Sequence, residues 1–344
     1  MQATYKKHVL EFKRPSGTSR GVLNTKETWF IKIEEAGAVG YGECGILRGL
    51  SIDDRPDYEE TLQWTCEHIH LGEQKLYDSL EGFPSIQFGV EMAFRSLKAE
   101  NPFELFPSAF TQGEKGIAIN GLIWMGEASF MQEQIAEKLE AGFDCIKMKI
   151  GAIDFDTEIK LLEQIRKNYS AEEITLRVDA NGAFKPDEAL DKLKRLAALD
   201  IHSIEQPIKQ GQPEAMAQLC KETPLPIALD EELIGVFGYA RQKELLQQLK
   251  PQYIILKPSL VGGFRGSDTW IQLAEEQGID WWITSALESN IGLNAIAQYT
   301  FQKETTIPQG LGTGALYTNN VSSPLNIRHG ELWYDAQQNW SFQF

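Results

Sequence analysis

Three stretches decide the fold: LRVDAN (residues 176–181), SIEQ (residues 203–206) and IALDEE (residues 227–232). Each begins as a short apolar run, as expected of a strand buried on both faces, and ends in acidic or amide side chains. Such runs recur at spacings of roughly 24 to 30 residues, the length of one strand–helix unit. Their centres are Ile119, Lys147, Arg177, Ile204, Ala228, Ile255, Ile283 and Leu311. Eight units of this kind predict an α/β fold with a (β/α)8 TIM-like barrel.

The chain outside the barrel has a different pattern. Residues 1–110 show strands followed by helical segments, which is typical of an α+β unit. The dipeptide Ala-Gly at residues 36–37 predicts a hairpin turn, and the Gly- and Ser-rich residues 15–21 predict a mobile loop. Two short strands within residues 320–344 are expected to return to the N-terminal unit. We therefore predict an α+β capping domain over residues 1–110, completed by residues 320–344, and a catalytic barrel over residues 111–319.

The composition excludes several classes of partner. The chain has 344 residues, and 33 Lys and Arg against 49 Asp and Glu give a formal net charge of −16. This charge repels phosphate backbones and anionic lipids, so we expect neither nucleic acid nor membrane as a partner. No apolar run is long enough to span a bilayer, and no signal-peptide pattern is present. The four cysteines form no C-x-x-C pair, which predicts reduced thiols in the cytoplasm. The sequence does not reveal the oligomeric state.

Carboxylates end three consecutive predicted strands, at Asp179, Glu205 and Asp230. The carboxyl ends of barrel strands form the face where active sites lie, so these side chains are expected to converge. Three carboxylates in a poorly solvated barrel mouth repel one another unless a cation neutralises them. An all-oxygen ligand set suits a hard divalent ion, and we predict Mg²⁺, with Mn²⁺ as the alternative. The five histidines show no zinc-ligand spacing.

Lysines end two further strands. Lys147 and Lys149 are two residues apart and face the same side of their strand, and Lys257 approaches from across the barrel mouth. A like charge and partial burial predict a lowered pKa for Lys147. A lysine in this setting can act as a general base on a proton next to a carboxylate. The ion would stabilise the enediolate that forms, so the expected partner is a small-molecule carboxylate.

These motifs resemble the enolase superfamily, muconate-lactonising subgroup, and within it the o-succinylbenzoate synthase family. The resemblance extends over essentially the whole chain. It rests on Lys147-Met148-Lys149, Asp179-Ala180-Asn181-Gly182, Glu205-Gln206-Pro207, Leu229-Asp230-Glu231 and Leu256-Lys257-Pro258. It implies a magnesium-dependent lyase of menaquinone biosynthesis that dehydrates 2-succinyl-6-hydroxy-2,4-cyclohexadiene-1-carboxylate to 2-succinylbenzoate.

The resemblance also implies roles for individual residues. Asp179, Glu205 and Asp230 would bind the ion. Lys149 would remove the proton and then protonate the leaving hydroxyl, Lys257 would stay cationic beside the forming ring, and Lys147 would help hold the substrate carboxylate. The remaining implied residues are Arg177 and Asn181 in the metal shell, Glu231 as a partner of a lysine, Gly262, Gly263, Ser285 and Ser289 in the succinyl pocket, and Ser16, Gly17, Arg20 and Gly21 in a loop closing over the site.

Other functions stay open beside this one. An N-succinylamino acid racemase would use Lys149 and Lys257 as two opposed bases with the same metal. A dipeptide epimerase would use the same site, although residues 310–314 lack the acidic pair that these enzymes typically carry at the eighth strand. Sugar-acid dehydratases use a histidine near the seventh strand, and residues 285–289 contain none. A non-catalytic binding barrel belongs to another class, but a purely structural ion would not need the flanking lysines.

Overall fold

The computed structural model describes residues 1–18 and 21–344. The chain begins with an antiparallel sheet of β1 (Gln2–Thr18), β2 (Gly21–Glu35) and β3 (Ala38–Gly45), in that order. The φ angles of Ala36 and Gly37 are +50° and +88°, the positive values that a two-residue hairpin turn of type I′ requires. Three helices follow: α1 (Tyr58–Glu67), α2 (Glu73–Ser79), with a 3₁₀ turn at Ile69–Leu71 before it, and α3 (Pro84–Lys98).

Residues 15–18 and 21 are strand, so the predicted loop is wrong for these described residues, and its closing over the site stays a prediction. Residues 16–18 continue β1 beyond a bulge and pair with residues 21–23 of β2. Gly17 also forms an antiparallel bridge to Met125 in the barrel. These backbone pairings override the local turn preference of Gly and Ser. Arg20, which we predicted to lie over the site, is outside the described residues.

The barrel follows a short strand, β4 (Ile117–Ala118). Seven parallel strands are present in the described residues and are hydrogen-bonded in chain order. They are β5 (Gly121–Ile123), β6 (Cys145–Lys149), β7 (Thr175–Asp179), β8 (Ser203–Glu205), β9 (Ile227–Leu229), β10 (Tyr253–Leu256) and β11 (Asp280–Ile283). The helices of this unit are α4 (Ala128–Glu140), α5 (Phe155–Asn168), α6 (Pro186–Ala197), α7 (Pro213–Glu222), α8 (Tyr239–Leu249), α9 (Pro258–Val261), α10 (Gly263–Glu275) and α11 (Asn290–Phe301), with 3₁₀ turns at Glu231–Leu233 and Gly314–Leu316.

The eighth strand position is reduced to residues 309–310. Gln309 forms a parallel bridge to Ile119, and Gly310 forms one to Thr284 at the end of β11. This pair of bridges links the last strand to the first and closes the barrel, so the predicted (β/α)8 fold with its N-terminal cap is confirmed. No helix within the described ranges is long and apolar enough to cross a membrane.

The C-terminal residues contact both parts of the molecule. Strands β12 (Leu325–Arg328) and β13 (Glu331–Tyr334) form an antiparallel hairpin, and β13 pairs with β4. The ring of Phe342 packs edge-on against Phe30 and Tyr41 of the N-terminal sheet, with ring centroids 5.0 and 5.1 Å apart. The domain limits at residues 110 and 320 stay a prediction.

Candidate active site at the mouth of the barrel

Strand register brings the predicted charged residues to one level. Lys149 on β6 pairs with Asp179 on β7, which in turn pairs with Glu205 on β8. Asp230 directly follows β9, and Lys257 directly follows β10. Because these residues end five consecutive parallel strands, their side chains converge at the barrel mouth. The first four are buried, and Lys257 is half-buried.

Ammonium groups lie between the carboxylates in this cluster. The Nζ of Lys147 donates to Glu205 Oε2 at 2.7 Å and to Asp179 Oδ2 at 3.2 Å. The Nζ of Lys149 donates to the same Asp179 oxygen at 2.8 Å. Two lysines on one strand therefore neutralise the carboxylates of the next two strands.

A second set of contacts extends the cluster toward β9 and β10. Lys257 forms an ion pair with Asp230. The Nζ of Lys149 also donates to Asn181 Oδ1 at 2.8 Å, and Asn181 Nδ2 donates to Glu231 Oε1 at 3.1 Å. Glu231 thus reaches Lys149 through the amide of Asn181, which orients that lysine.

The charges in the cluster shift one another's titration. Burial alone would lower the pKa of Lys147, but the carboxylates of Glu205 and Asp179 outweigh burial and raise it. Without an ion the pKa of Lys147 is therefore raised, because its ammonium faces two carboxylates directly, and the lowering predicted beside a bound cation stays a prediction. Burial would raise the pKa of Asp179, but Lys149 and Lys147 hold it well below its usual range. Burial, and then the charge of Asp179, raise the pKa of Glu205 to about 8.

The donor set fits a hard cation, although the lysines occupy the nearest positions. Within residues 1–18 and 21–344, no three His, Cys, Asp or Glu side chains are arranged to hold a metal ion as they stand. The buried Oε1 of Glu205 accepts no hydrogen bond in this part of the chain. A buried carboxylate oxygen without a partner is costly, and a cation would satisfy it. Three carboxylates with all-oxygen donors are the chemistry that Mg²⁺ prefers.

Arg177 lies deeper in the barrel than the cluster. It precedes Asp179 by two residues on β7, so its side chain enters the packed interior layer below. Its Nη1 donates to the carbonyl of Pro308 at 2.8 Å, and its guanidinium lies 4.2 Å from the ring centroid of Trp282. These contacts include none of the three carboxylates, and the role of Arg177 in supporting the metal shell stays a prediction.

Three residues that we predicted for the succinyl pocket instead pack against the N-terminal unit. The carbonyl of Gly262 accepts a hydrogen bond from a tyrosine of α2 at 2.7 Å. A Cβ on Gly263, whose φ is +73°, would lie 2.1 Å from Glu91 Oε2 of α3. The hydroxyl of Ser289 donates to Glu43 Oε2 of β3 at 2.6 Å. These positions join the two units and do not line the cavity over the cluster.

A cavity of about 690 Å³, including its open mouth, lies over the lysines and carboxylates. Of the predicted pocket residues, Ser285 lines it; Ser16, Gly17 and Gly21 do not. Sequence reasoning missed its other lining residues, which include Leu23, Leu47, Leu50, Asn120, Leu122, Trp124, Thr284 and Thr313. Leu23, Leu47 and Leu50 form an apolar cover contributed by the N-terminal unit. The indole of Trp124 lies 5.8 Å from Lys149 Nζ.

Position in the sequence offered a signal for two of the missed features. Trp124 follows the first barrel strand at the place where other strands carry charged residues, so its strand-end position marks it. Leu47 and Leu50 are apolar residues in the connection after β3, where a cluster of apolar side chains indicates a contact with another part of the molecule. No local pattern marks Asn120 or Thr313.

Comparisons with known proteins agree with this geometry. Residues 131–338 match the family described as enolase C-terminal domain-like. The o-succinylbenzoate synthase of Desulfotalea psychrophila is 47% identical over 363 aligned positions, covering 96% of this chain and 98% of that protein. The crystal structure of MenC from the same organism superposes with a TM-score of 0.86 at 44% identity, covering 97% of this chain and 99% of that one.

A more distant structure supports the fold alone. The dipeptide epimerase of Enterococcus faecalis, solved with Mg and the dipeptide L-Leu-L-Tyr, is 22% identical and has a TM-score of 0.84, covering 97% of this chain and 96% of that one. The family match and the near full-length relative establish the relationship that the motifs predict. The chain is an enzyme of the enolase superfamily and belongs to the enolase C-terminal domain-like family.

Proposed function

We propose that this enzyme is an o-succinylbenzoate synthase, which dehydrates 2-succinyl-6-hydroxy-2,4-cyclohexadiene-1-carboxylate to 2-succinylbenzoate. The observation that carries the proposal is the interleaving of three lysines with three carboxylates at the ends of β6 to β10. That arrangement occurs in a chain related to a synthase over nearly its whole length. The same resemblance supports a place in menaquinone biosynthesis, and the free, buried cysteines support the cytoplasm as its compartment.

We assign Asp179, Glu205 and Asp230 as the residues that would hold Mg²⁺, with Mn²⁺ as the alternative. The support is the carboxylate donor set and the unpaired buried oxygen of Glu205. When bound, the ion would supply positive charge beside the substrate carboxylate as the adjacent proton leaves. Lys147, which contacts two of these carboxylates, would help hold the substrate carboxylate.

Lys149 would act as the base and then as the acid. Its neutral amine takes the proton on the ring carbon that bears the carboxylate, and the electron pair of that C–H bond forms the new ring double bond. The C–O bond to the hydroxyl breaks, and the hydroxyl leaves as water with the proton that Lys149 holds. The amine is thereby restored, and the ring becomes aromatic. Asn181, which accepts a hydrogen bond from Lys149, keeps its Nζ directed into the cavity.

Lys257 would remain an ammonium ion throughout. Burial alone would lower its pKa, but the charges of Asp230 and Glu205 outweigh burial and raise it. An ammonium group at this position would serve as an electrostatic partner of the substrate and not as a base. Its place across the mouth from Lys149 suits a cation–π contact with the forming aromatic ring.

A racemase of N-succinylamino acids is the second candidate. Lys149 and Lys257 contact different carboxylates and end strands on different sides of the barrel mouth, as two opposed bases would require. An epimerase of dipeptides is less well supported. The Gly-rich eighth position, where Gly310, Gly312 and Thr313 line the cavity, offers no acid for an α-ammonium group.

The deciding experiment follows loss of the diene absorbance of the proposed substrate, with Mg²⁺ and with chelator. We expect fast, chelator-sensitive turnover that disappears in Lys149→Ala and persists in Lys192→Ala, whose lysine lies in an ion pair on the face of α6. No turnover with Mg²⁺ present would refute the synthase. Exchange of the α-proton of N-succinylamino acids or dipeptides in heavy water would then identify a racemase or an epimerase.

A further inference from the structure

The active-site cavity contains a polar side chain that the mechanism does not use. Asn120 immediately precedes β5 and is only 4% exposed. Its Oδ1 accepts no hydrogen bond in the described structure. Buried polar groups nearly always have a partner, so the Oδ1 calls for an ordered water, and the Nδ2, which donates to no described residue, is left for an acceptor on a ligand.

The hydroxyl groups near Asn120 already donate within the protein. Thr284 Oγ1 donates to the carbonyl of Gly310 at 2.9 Å. Thr313 Oγ1 donates to Ser285 Oγ at 2.8 Å, and Ser285 Oγ donates to Glu288 Oε2 at 2.7 Å. Each hydroxyl has one proton to donate. Among the described hydroxyl and amide side chains of this wall, Asn120 is therefore the one that keeps N–H groups for a ligand.

A second cavity adjoins the first on the outer side of the wall, and Asn120 lines both. The charged residues around this outer cavity are Lys13, Arg14, Lys138 and Glu137. Glu137 lies 3.8 Å from Arg14, whereas Lys138 has no carboxylate within ion-pair distance in the described structure. The outer cavity is therefore net positive in a chain whose net charge is −16, which favours an anionic group.

We propose that Asn120 is a specificity-determining residue whose side-chain N–H donates to the distal carboxylate on the substrate's side arm. The inference rests on the proposed function, which identifies that arm as a succinyl chain. The carboxylate on the ring belongs with Lys147 and the metal-binding carboxylates. A second carboxylate is repelled by Asp179 and Glu205 and needs a donor away from them. Asn120 provides it on the side that opens toward the cationic cavity.

The test compares two ligands that differ only at the end of the arm. In 2-butanoylbenzoate a methyl group replaces the distal carboxylate of 2-succinylbenzoate. Calorimetry on Mg²⁺-loaded protein should show that Asn120→Leu binds 2-succinylbenzoate at least about tenfold more weakly, the loss expected for a hydrogen bond to a charged group. Asn120→Asp should bind it more weakly still, because its negative charge repels the carboxylate. Binding of 2-butanoylbenzoate should be unchanged. Asn326→Leu is the control, because Asn326 lies in β12 and also has an unpaired Oδ1.

Turnover provides a second readout. Asn120→Leu should raise KM by the same factor and leave kcat largely unchanged, because Asn120 contacts the arm and not the reacting carbons. If the leucine variant does not fold, Asn120→Ser shortens the side chain with less disturbance and serves the same comparison. If Asn120→Leu weakens the binding of both ligands equally, or of neither ligand, the inference is overturned.

The outcomes separate this inference from the proposed function. Turnover by the wild type together with unchanged binding in Asn120→Leu would remove the inference and keep the synthase. Binding of 2-succinylbenzoate that depends on Asn120, without turnover, would keep the arm site and remove the synthase. A wild-type protein that neither binds 2-succinylbenzoate nor turns over the substrate would overturn both.

Discussion

Lys147→Met is the most informative single change in the acidic cluster, because Lys147 contacts two of its three carboxylates. Methionine keeps an unbranched stem of similar length and removes the charge. Without this ammonium, Glu205 loses its cation partner and faces Asp179, which keeps only Lys149, unless a metal ion is bound. The metal-free and the metal-loaded proteins should therefore respond differently to the same substitution.

The size of the effect follows from the distances. Asp179 Oδ2 and Glu205 Oε2 lie 3.2 and 2.7 Å from the same Nζ, so the two oxygens are no more than about 6 Å apart. At that separation and an effective dielectric constant of ~20, two unit charges repel by about 3 kcal/mol. Breaking a buried ion pair by removing one partner costs about 3–5 kcal/mol. Glu205, whose pKa is already raised to about 8, can relieve part of this by binding a proton. We expect metal-free Lys147→Met to lose about 3 kcal/mol of unfolding free energy.

Urea unfolding followed by tryptophan fluorescence measures this loss, once in chelator and once in millimolar Mg²⁺. The ion binds the folded state and neutralises the same carboxylates, so we expect most of the stability to return with Mg²⁺. Lys194→Met is the matched control, since Lys194 forms an exposed pair with Asp191 and should change stability by less than about 1 kcal/mol in either condition. An equal loss with and without Mg²⁺, or no loss in chelator, would refute the assignment of these carboxylates as a metal site.

Three further changes test other parts of the molecule. Asp53 accepts hydrogen bonds from the backbone and hydroxyl of Ser85, and burial raises its pKa to about 6. Because the pKa is higher in the folded state than in the unfolded state, Asp53 stabilises the fold below about pH 4. This contribution to the unfolding free energy is lost by about pH 6. Between these pH values the unfolding free energy of Asp53→Asn, measured in urea, should therefore rise by about 3 kcal/mol relative to that of the wild type. Unfolding free energies of the two proteins that change in parallel with pH would contradict this. Glu91→Ala removes the carboxylate that accepts a hydrogen bond from Phe264 N at 2.6 Å, and it should lower the unfolding free energy in urea by about 3 kcal/mol. Glu91→Gln keeps an oxygen acceptor and should lower it less. Equal losses in the two variants would show that the retained oxygen does not matter. Lys257→Met should lower kcat by about 10²- to 10³-fold and tighten Mg²⁺ binding by calorimetry, because the ion no longer competes with an ammonium for Asp230. Weaker Mg²⁺ binding would contradict the assignment of Asp230 to the metal site.

The barrel can be predicted from the sequence because its strands are buried on both faces. Runs such as residues 176–179 are continuous and apolar except at inward-facing positions, and their spacing fixes the strand–helix repeat. The eighth strand has no such run. Gln309 and Gly310 are recognisable as a strand only through their bridges to Ile119 and Thr284, which are distant along the chain. The extension of β1 through Gly17 has the same origin, since its partners lie in β2 and at Met125.

The centre of the site follows from the same strand pattern, and its surroundings do not. Asp179 and Glu205 are adjacent because register in a parallel sheet places neighbouring strand ends side by side. Arg177 faces the same interior, but its depth is decided by packing against Trp282, which no local pattern encodes. Gly263 is a comparable case, because its contact with Glu91 depends on how the N-terminal helices rest on the barrel.

The contacts in the cluster also explain why lysines and carboxylates occur there in matched numbers. Three carboxylates alone would destabilise the folded chain before any ion arrived, and three ammonium groups alone would do the same. As they are paired, Lys147 contacts Glu205 and Asp179, Lys149 contacts Asp179, and Lys257 contacts Asp230. An ion that takes these oxygens must release the ammonium groups from them, so metal affinity and the freedom of the lysines to act on a substrate are thermodynamically linked. A variant that loosens one of these pairs should therefore change both properties together, which separates this cluster from a metal site whose neighbouring lysines serve only to bind substrate.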